Sequence, residues 1–275
     1  MKDFKFSVAI SVYKNDNSEH FYRSLESITK YQTLKPDEVV LVVDGPVGED
    51  IKKVIKEFEI KYNFFNVIKL EKNEGLGNAL RVAVNAATYD LIARMDSDDI
   101  SLPTRFEQQI NMFKHNHSID IVGGDISEFI NKEDNIVAKR IVPKDDIDIK
   151  KYMQTRCAFN HVTVMYKKQV VLNVGNYKDL FWNEDYYLWI RMMEHNKNMC
   201  NIGTVLVNVR VGENMYKRRG GIKYFKSEMY LQNYMLDRNM ISYTTYLLNI
   251  SKRVIIQLLI PNNIRGWIFK KFARR

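Results

Sequence analysis

Cysteine is scarce in this 275-residue chain: Cys157 and Cys200 are the only two, and they form no CxxC pair. A disulfide framework is therefore excluded, and a reducing cytoplasm is the expected setting. No apolar run reaches the roughly 18 residues of a membrane-spanning helix. The early apolar run Phe6–Tyr13 reads as a first strand, so no signal peptide is expected. No GxGxxG follows that strand and no GxxxxGK[ST] occurs, which leaves neither a Rossmann dinucleotide site nor a P-loop. Internal repeats and low-complexity segments are absent too. What remains is an ordinary soluble composition, 45% hydrophobic and 27% charged, long enough for one large domain or a domain with an appendage.

The net charge of +9 is unevenly placed. Residues 215–275 hold 13 Lys and Arg against Glu228 and Asp237, a local charge of +11, so the first 214 residues carry −2. A nucleic-acid binder would not usually confine its charge to a tail, and no nucleic-acid partner is expected. An anionic surface such as a membrane leaflet fits the tail better. Val254, Ile255, Leu258 and Leu259 form an apolar face before Pro261. Beyond it Ile264, Ile268 and Phe272 recur at four-residue spacing, with Trp267 beside them and Arg265, Lys270, Lys271, Arg274 and Arg275 interspersed. That is the pattern of an interfacial membrane helix; a helix packed on the domain or on a second copy is the alternative.

Strand-like and helix-like segments alternate through the first hundred residues. Phe6–Val12, Val39–Val43, Phe65–Leu70 and the run into Asp96 are apolar and rich in β-branched residues. Between them lie helical spacings: Phe21, Leu25 and Ile28 after a Ser18 N-cap; Ile51, Val54, Ile55 and Phe58; then Leu80, Ala83, Val84 and Ala87 in a helix starting near Asn78. This order predicts an α/β fold, a mostly parallel sheet covered by helices on both faces. In such sheets ligands bind beyond the carboxyl ends of the strands. All four strands end in residues with binding chemistry: Tyr13-Lys14-Asn15, Asp44-Gly45, Asn73-Glu74-Gly75 and Asp96-Ser97-Asp98-Asp99.

Three carboxylates within the four residues 96–99 repel one another, and burying them unpaired would be costly. Either a hard, oxygen-loving divalent cation sits among them or they form a solvated acidic turn. An EF-hand is ruled out, because Ile100 and Ser101 stand where a ligand and a glycine are needed and Pro103 interrupts the loop. His115 and His117 lack a ligand cluster and are expected to face solvent.

The second half predicts a helix from Pro103 through Phe106, Ile110 and Phe113, a strand Ile119–Val122 followed by Gly123-Gly124, and a hairpin over Asp125–Ile141 turning at Asn131–Asn135. A helix over Asp145–Met153, a strand His161–Tyr166, a helix ending at Gly175-Asn176, a helix entered through Trp182-Asn183-Glu184-Asp185 and a strand Met199–Val211 complete it. Glu184 and Asp185 are either ordinary acidic enrichment of a helix N-terminus or a reacting pair. Being adjacent, they cannot share one helix face.

The ordered set SVAISVYKND, VVLVVDGP, NEGLGNALRVAV, YDLIARMDSDDISLPTRFEQQ, FNHVTVMYKKQVVLNVGNY and WNEDYYLWIRMMEH resembles a family 2 glycosyltransferase of the bacterial polysaccharide or cell-envelope kind, over about residues 5–215. The resemblance implies a GT-A fold, with a nucleotide-sugar half (1–100), an acceptor half (101–215) and a basic helical extension (216–275). It implies a nucleotide-diphosphate sugar donor, usually a UDP-sugar, contacted by Val12, Tyr13, Asp44, Asn73, Gly75, Asp96 and Ser97. Tyr13 would cover the base and Asp44 would accept a hydrogen bond from base or ribose. Asp98 would bind Mn²⁺ or Mg²⁺ directly, and Asp96 would contact ribose or reach the metal through water. Asp99 would bond the loop or cap the next helix, while Arg94 and Arg105 would pair with a phosphate or with the Asp cluster. Asp185 would be the base that takes the acceptor proton, with Glu184 orienting, and a displacement of that kind inverts the anomeric centre. His161, Trp182 and Arg218 would lie near the acceptor or diphosphate, with a core role as the alternative for His161 and a basic loop Tyr216–Gly221 closing on the diphosphate. Processive relatives carry a QxxRW-like motif and transmembrane helices; neither is present here. One sugar per encounter, added to a glycan or lipid-linked acceptor at the inner face of the cell membrane, is the expected activity.

Overall fold

The computed structural model describes residues 4–212 and 220–260. Arg218 and the Ile264–Phe272 repeat with Trp267 lie outside the described residues. The first half runs β1 (Phe6–Val12), α1 (Ser18–Thr29), β2 (Glu38–Val43), α2 (Glu49–Lys61), β3 (Phe65–Lys69), α3 (Leu76–Ala86) and β4 (Leu91–Met95). Its four strands are parallel, in the spatial order β3-β2-β1-β4. Successive side chains of a strand point to opposite faces, and both faces are buried here. Val8, Ile10 and Val12 of β1 and Val39, Leu41 and Val43 of β2 meet α1 and α2 in one core. Ala9, Val40 and Val42 meet α3 in another. The near-continuous apolar runs of β1 and β2 follow from that double burial.

Beyond β4 the sheet becomes mixed. The chain continues through β5 (Ile100–Ser101), α4 (Arg105–His115), β6 (Ile121–Phe129), β7 (Ile136–Arg140), α5 (Asp146–Met153), a 3-10 turn (His161–Thr163), β8 (Met165–Lys167), α6 (Lys168–Asn173), α7 (Glu184–Glu194) and β9 (Met199–Arg210). β8 lies antiparallel to both β4 and β6, while β9 is parallel to β6 and antiparallel to β5. The β6–β7 hairpin forms as expected.

Three local expectations are corrected. Asn17, not Ser18, caps α1, its side chain accepting from the Glu19 and His20 amides at 3.0 Å. The Gly123-Gly124 pair does not end a strand, because β6 runs through it. A Cβ on Gly123 would lie 2.3 Å from Asn201 Oδ1 and 2.7 Å from Phe159, so the glycine lets these neighbours close in. The segment 161–166 is not one strand: the Asn160 amide donates to Gly124 O (2.8 Å) and Thr163 Oγ1 donates to Asn160 O (2.8 Å). Side-chain bonds of this kind compete with a strand ladder and hold a 3-10 turn before β8.

After β9, α8 (Ile222–Asp237), α9 (Tyr243–Arg253) and a π-helical turn (Val254–Leu259) complete the described chain. Leu231, Met235 and Ile241 are buried in the same core as α3 and α7. No helix among the described residues is long and apolar enough to cross a membrane.

Candidate active site

The carboxyl ends of β1, β2 and β4 lie side by side, as the parallel register requires. At the end of β2, buried Asp44 accepts from Asn73 Nδ2 (2.9 Å), Glu74 N (2.7 Å) and Gly75 N (3.0 Å). It therefore shapes the loop ahead of α3, and a contact to base or ribose would use a remaining lone pair. Gly45 permits the approach: its φ is +83°, and a Cβ there would sit 2.5 Å from Asn73 N. Val12 is buried and its carbonyl accepts from Asp44 N at 2.8 Å. Tyr13 is exposed beside it.

At the end of β4 the four-residue acidic cluster divides into different tasks. Asp96 is gripped by both terminal nitrogens of the buried Arg94 guanidinium. Ser97 Oγ donates to Asp16 Oδ2 at 2.8 Å, tying the cluster to the loop after β1. Asp99 is buried and accepts the Arg210 amide at 2.8 Å, anchoring the end of β9. Asp98 is exposed, yet the protein around it and the charges of Asp96 and Asp16 push its carboxyl up to about 6. Arg105 does not take part. Fully buried, it donates to Arg94 O at 2.6 Å and to Gln109 Oε1 at 3.1 Å, a structural role.

Glu184 and Asp185 open α7. Trp182 precedes them with a left-handed φ of +55°, unusual for a bulky residue. It is exposed and stacks on Phe181 with ring centroids 4.6 Å apart. Asn183 donates to Ser227 Oγ of α8 at 2.9 Å, and Ser227 Oγ donates to Phe181 O at 2.8 Å, so α8 holds the turn into α7. Burial and the neighbouring Asp185 charge push the Glu184 carboxyl up to about 7, with Asp96 adding repulsion and Arg94 attraction. Gly77 of α3 faces Glu184, a Cβ there lying 3.2 Å from Glu184 Cβ. His161 is held neutral by burial and by the nearby Arg94 charge, with Nε2 3.0 Å from the Tyr177 hydroxyl.

Asp96, Asp99, His161, Trp182, Glu184 and Asp185 all line one cavity of about 740 Å³. Residues 89 positions apart thus face a common space. The profile of the family described as "Glycosyl transferase family 2" matches residues 7–181, which contain the acidic cluster. The chain belongs to that family. It is 38% identical, over 98% of its own length and 97% of the relative's, to an Escherichia coli protein described as a UDP-Gal:alpha-D-GlcNAc-diphosphoundecaprenol beta-1,3-galactosyltransferase. Its fold is shared with Staphylococcus aureus TarS 1–349 in complex with UDP-GlcNAc (TM-score 0.68, 18% identity, 91% of this chain and 72% of that one). A mannosyltransferase from Pyrobaculum calidifontis in complex with GDP-Man and Mn²⁺ shares it as well (TM-score 0.60, 13% identity, 95% and 72%). The fold is GT-A, and the protein is a glycosyltransferase.

The transferase's acidic cluster fits a divalent cation in part. Among the described residues no group of three or more His, Cys, Asp or Glu side chains could hold a metal by itself. A magnesium-like ion, however, is commonly held by one or two carboxylates together with substrate phosphates. Asp98, whose carboxyl is raised by burial first and then by the charges of Asp96 and Asp16, suits that arrangement. Sequence reasoning missed Asp16 and Arg210 as members of the cluster: Arg210 Nε donates to Asp98 O at 3.2 Å from a strand end more than a hundred residues away. It also missed Arg140, Arg156, Lys252 and Arg253, which line the same cavity. Only the surplus of positive charge after residue 215 hinted at the last two.

Proposed function

We propose that this transferase moves a hexose or N-acetylhexosamine from a nucleotide-diphosphate sugar, UDP-linked, to a hydroxyl of a sugar carried on a lipid diphosphate, with inversion. One observation carries the proposal: Glu184 and Asp185 open into the same cavity as Asp96 at the end of β4. The acceptor named in the description of the Escherichia coli relative supports the choice of acceptor. In the step itself the acceptor oxygen attacks the anomeric carbon from the face opposite the nucleoside diphosphate. The bond to the diphosphate oxygen breaks, and the acceptor proton passes to the Asp185 carboxylate. Asp185 Oδ1 accepts the Tyr186 amide at 2.7 Å, which fixes the carboxylate's direction. Glu184, carrying a proton up to about pH 7 in the free protein, hydrogen-bonds rather than competes for the acceptor's proton. Val12, Tyr13, Asp44, Asn73, Gly75 and Ser97 line the nucleotide's place at the strand ends. Asp98 and Asp96 would hold Mn²⁺ or Mg²⁺, and the ion would supply positive charge to offset that developing on the departing diphosphate. Cys157 is no nucleophile, because burial and the Asp185 charge push its thiol up to about 12.

The protein works peripherally on the inner face of the membrane. Ile255, Leu258 and Leu259 turn outward from the last described helix, while Gln257 turns inward. Purified protein tested with UDP-, GDP- and dTDP-sugars in the presence of Mn²⁺ should select one donor. Asp185→Asn should then lower kcat by roughly 10²–10⁴-fold with donor binding retained. Full activity of that variant would remove Asp185 as base. Normal polysaccharide output from cells carrying it would favour a non-catalytic scaffold.

A further inference from the structure

The cavity that Glu184 and Asp185 line is also walled by the segment after α5 and by α9 with the π-turn. Thr155, Arg156, Asn249, Lys252, Arg253 and Gln257 line it there. Arg253 is committed to the structure: it pairs with Glu228 and donates to Thr155 O at 3.0 Å. Arg140 likewise donates to Asn160 Oδ1 (2.8 Å) and Phe159 O (3.1 Å). Arg156 and Lys252 differ. Neither has an ion-pair or hydrogen-bonded side-chain partner among the described residues. Each is one residue from the Arg253–Thr155 contact, so both belong to the same stretch of wall. The charges of Asp185, Arg140 and Arg156 all act on the Cys157 thiol, which ties this wall to the base.

We propose that Arg156 and Lys252 form a subsite for the diphosphate of the acceptor, distinct from the place of the donor diphosphate at the strand ends. The inference rests on the lipid-linked acceptor of the proposed function. In such an acceptor the diphosphate is attached to the ring that carries the attacking hydroxyl. With that hydroxyl at Asp185, the phosphates must lie within one sugar's width of the base. Two cations without carboxylate partners, in a cavity whose other charges are mostly spoken for, match a dianionic group. Trp182 offers an exposed aromatic face in the same cavity for the sugar ring. Beyond Lys252, the outward Ile255, Leu258 and Leu259 continue along the same helix, so a lipid attached to the phosphates would leave along an apolar ridge.

The test compares two acceptors that differ only in the diphosphate: an alkyl-diphosphate-linked hexosamine and the same sugar as an uncharged alkyl glycoside. The readout is the ratio of their kcat/KM values with the donor selected above. Arg156→Ala or Lys252→Ala should each lower the ratio about tenfold, and the double variant roughly a hundredfold. The effect should lie in KM for the diphosphate acceptor. Arg156→Lys and Lys252→Arg, which keep the charge, should restore most of it. Variants that leave the ratio unchanged, including any that instead lose binding to anionic vesicles, overturn the inference while the proposed function stands. Wild-type protein that transfers to neither acceptor overturns the proposed function and the subsite together.

Discussion

Arg94 and Glu184 show how much of the site depends on buried charge. Arg94 is 2% exposed and holds Asp96 with two nitrogens of its rigid fork. The Asp96 carboxylate at the end of β4 is thus held by a buried guanidinium. Glu184 sits in the opposite electrostatic position. Its folded pKa, about 7, lies above the ordinary 4.5 because burial and Asp185 disfavour its charge. Between those two values the folded protein keeps a proton that the unfolded chain releases, so stability falls as pH rises through that window. Glu184→Gln should flatten this fall for the metal-free protein, measured as urea midpoints from pH 5 to pH 8. Parallel curves for variant and wild type would show that Glu184 is not the group responsible.

At the scale of elements, α9 and its π-turn reverse the usual arrangement of a surface helix. Asn249 and Gln257 are buried, Asn249 donating to Gln154 O (2.9 Å) and Gln232 Oε1 (2.8 Å). Leu248, Ile255 and Leu259 are 61%, 51% and 69% exposed. A helix that buries its amides and exposes these aliphatic residues offers an apolar surface for the membrane contact proposed above. The double substitution Ile255→Glu with Leu259→Glu should shift the protein from anionic vesicles to the supernatant in a flotation assay, while circular dichroism stays unchanged. Equal partitioning would remove this helix as the membrane contact. The apolar spacing of Val254, Ile255, Leu258 and Leu259 was visible in the sequence. Its outward direction was not, because periodicity marks a face without saying what covers it.

For the whole molecule, the C-terminal helices are structural partners of the catalytic body. Leu231 and Met235 are fully buried against the core shared by α3, α5 and α7, each worth about 1.5–3 kcal/mol of apolar burial. Ser227 and Asn183 link α8 to the turn that presents Asp185, and Glu194 of α7 accepts from Arg238 Nε at 2.8 Å. A chain ending at Gly212 should therefore aggregate or lose cooperative urea unfolding. A soluble, cooperative product would support the division after residue 215 suggested by composition.

The sequence by itself determined the alternating elements of the first half, the strand-end placement of Asp44, Asn73 and Asp96, and the family. Those features depend on local periodicity and on motifs within a few residues of one another. Only the tertiary structure decided that Asp99 anchors Arg210, that Arg94 rather than Arg105 holds Asp96, and that Arg156 shares a wall with Lys252. The first and last of these bring together residues roughly a hundred positions apart and depend on the register of β6, β8 and β9 and on where α8 and α9 close over the core. No local pattern encodes those distances; they arise when separate apolar faces are buried together.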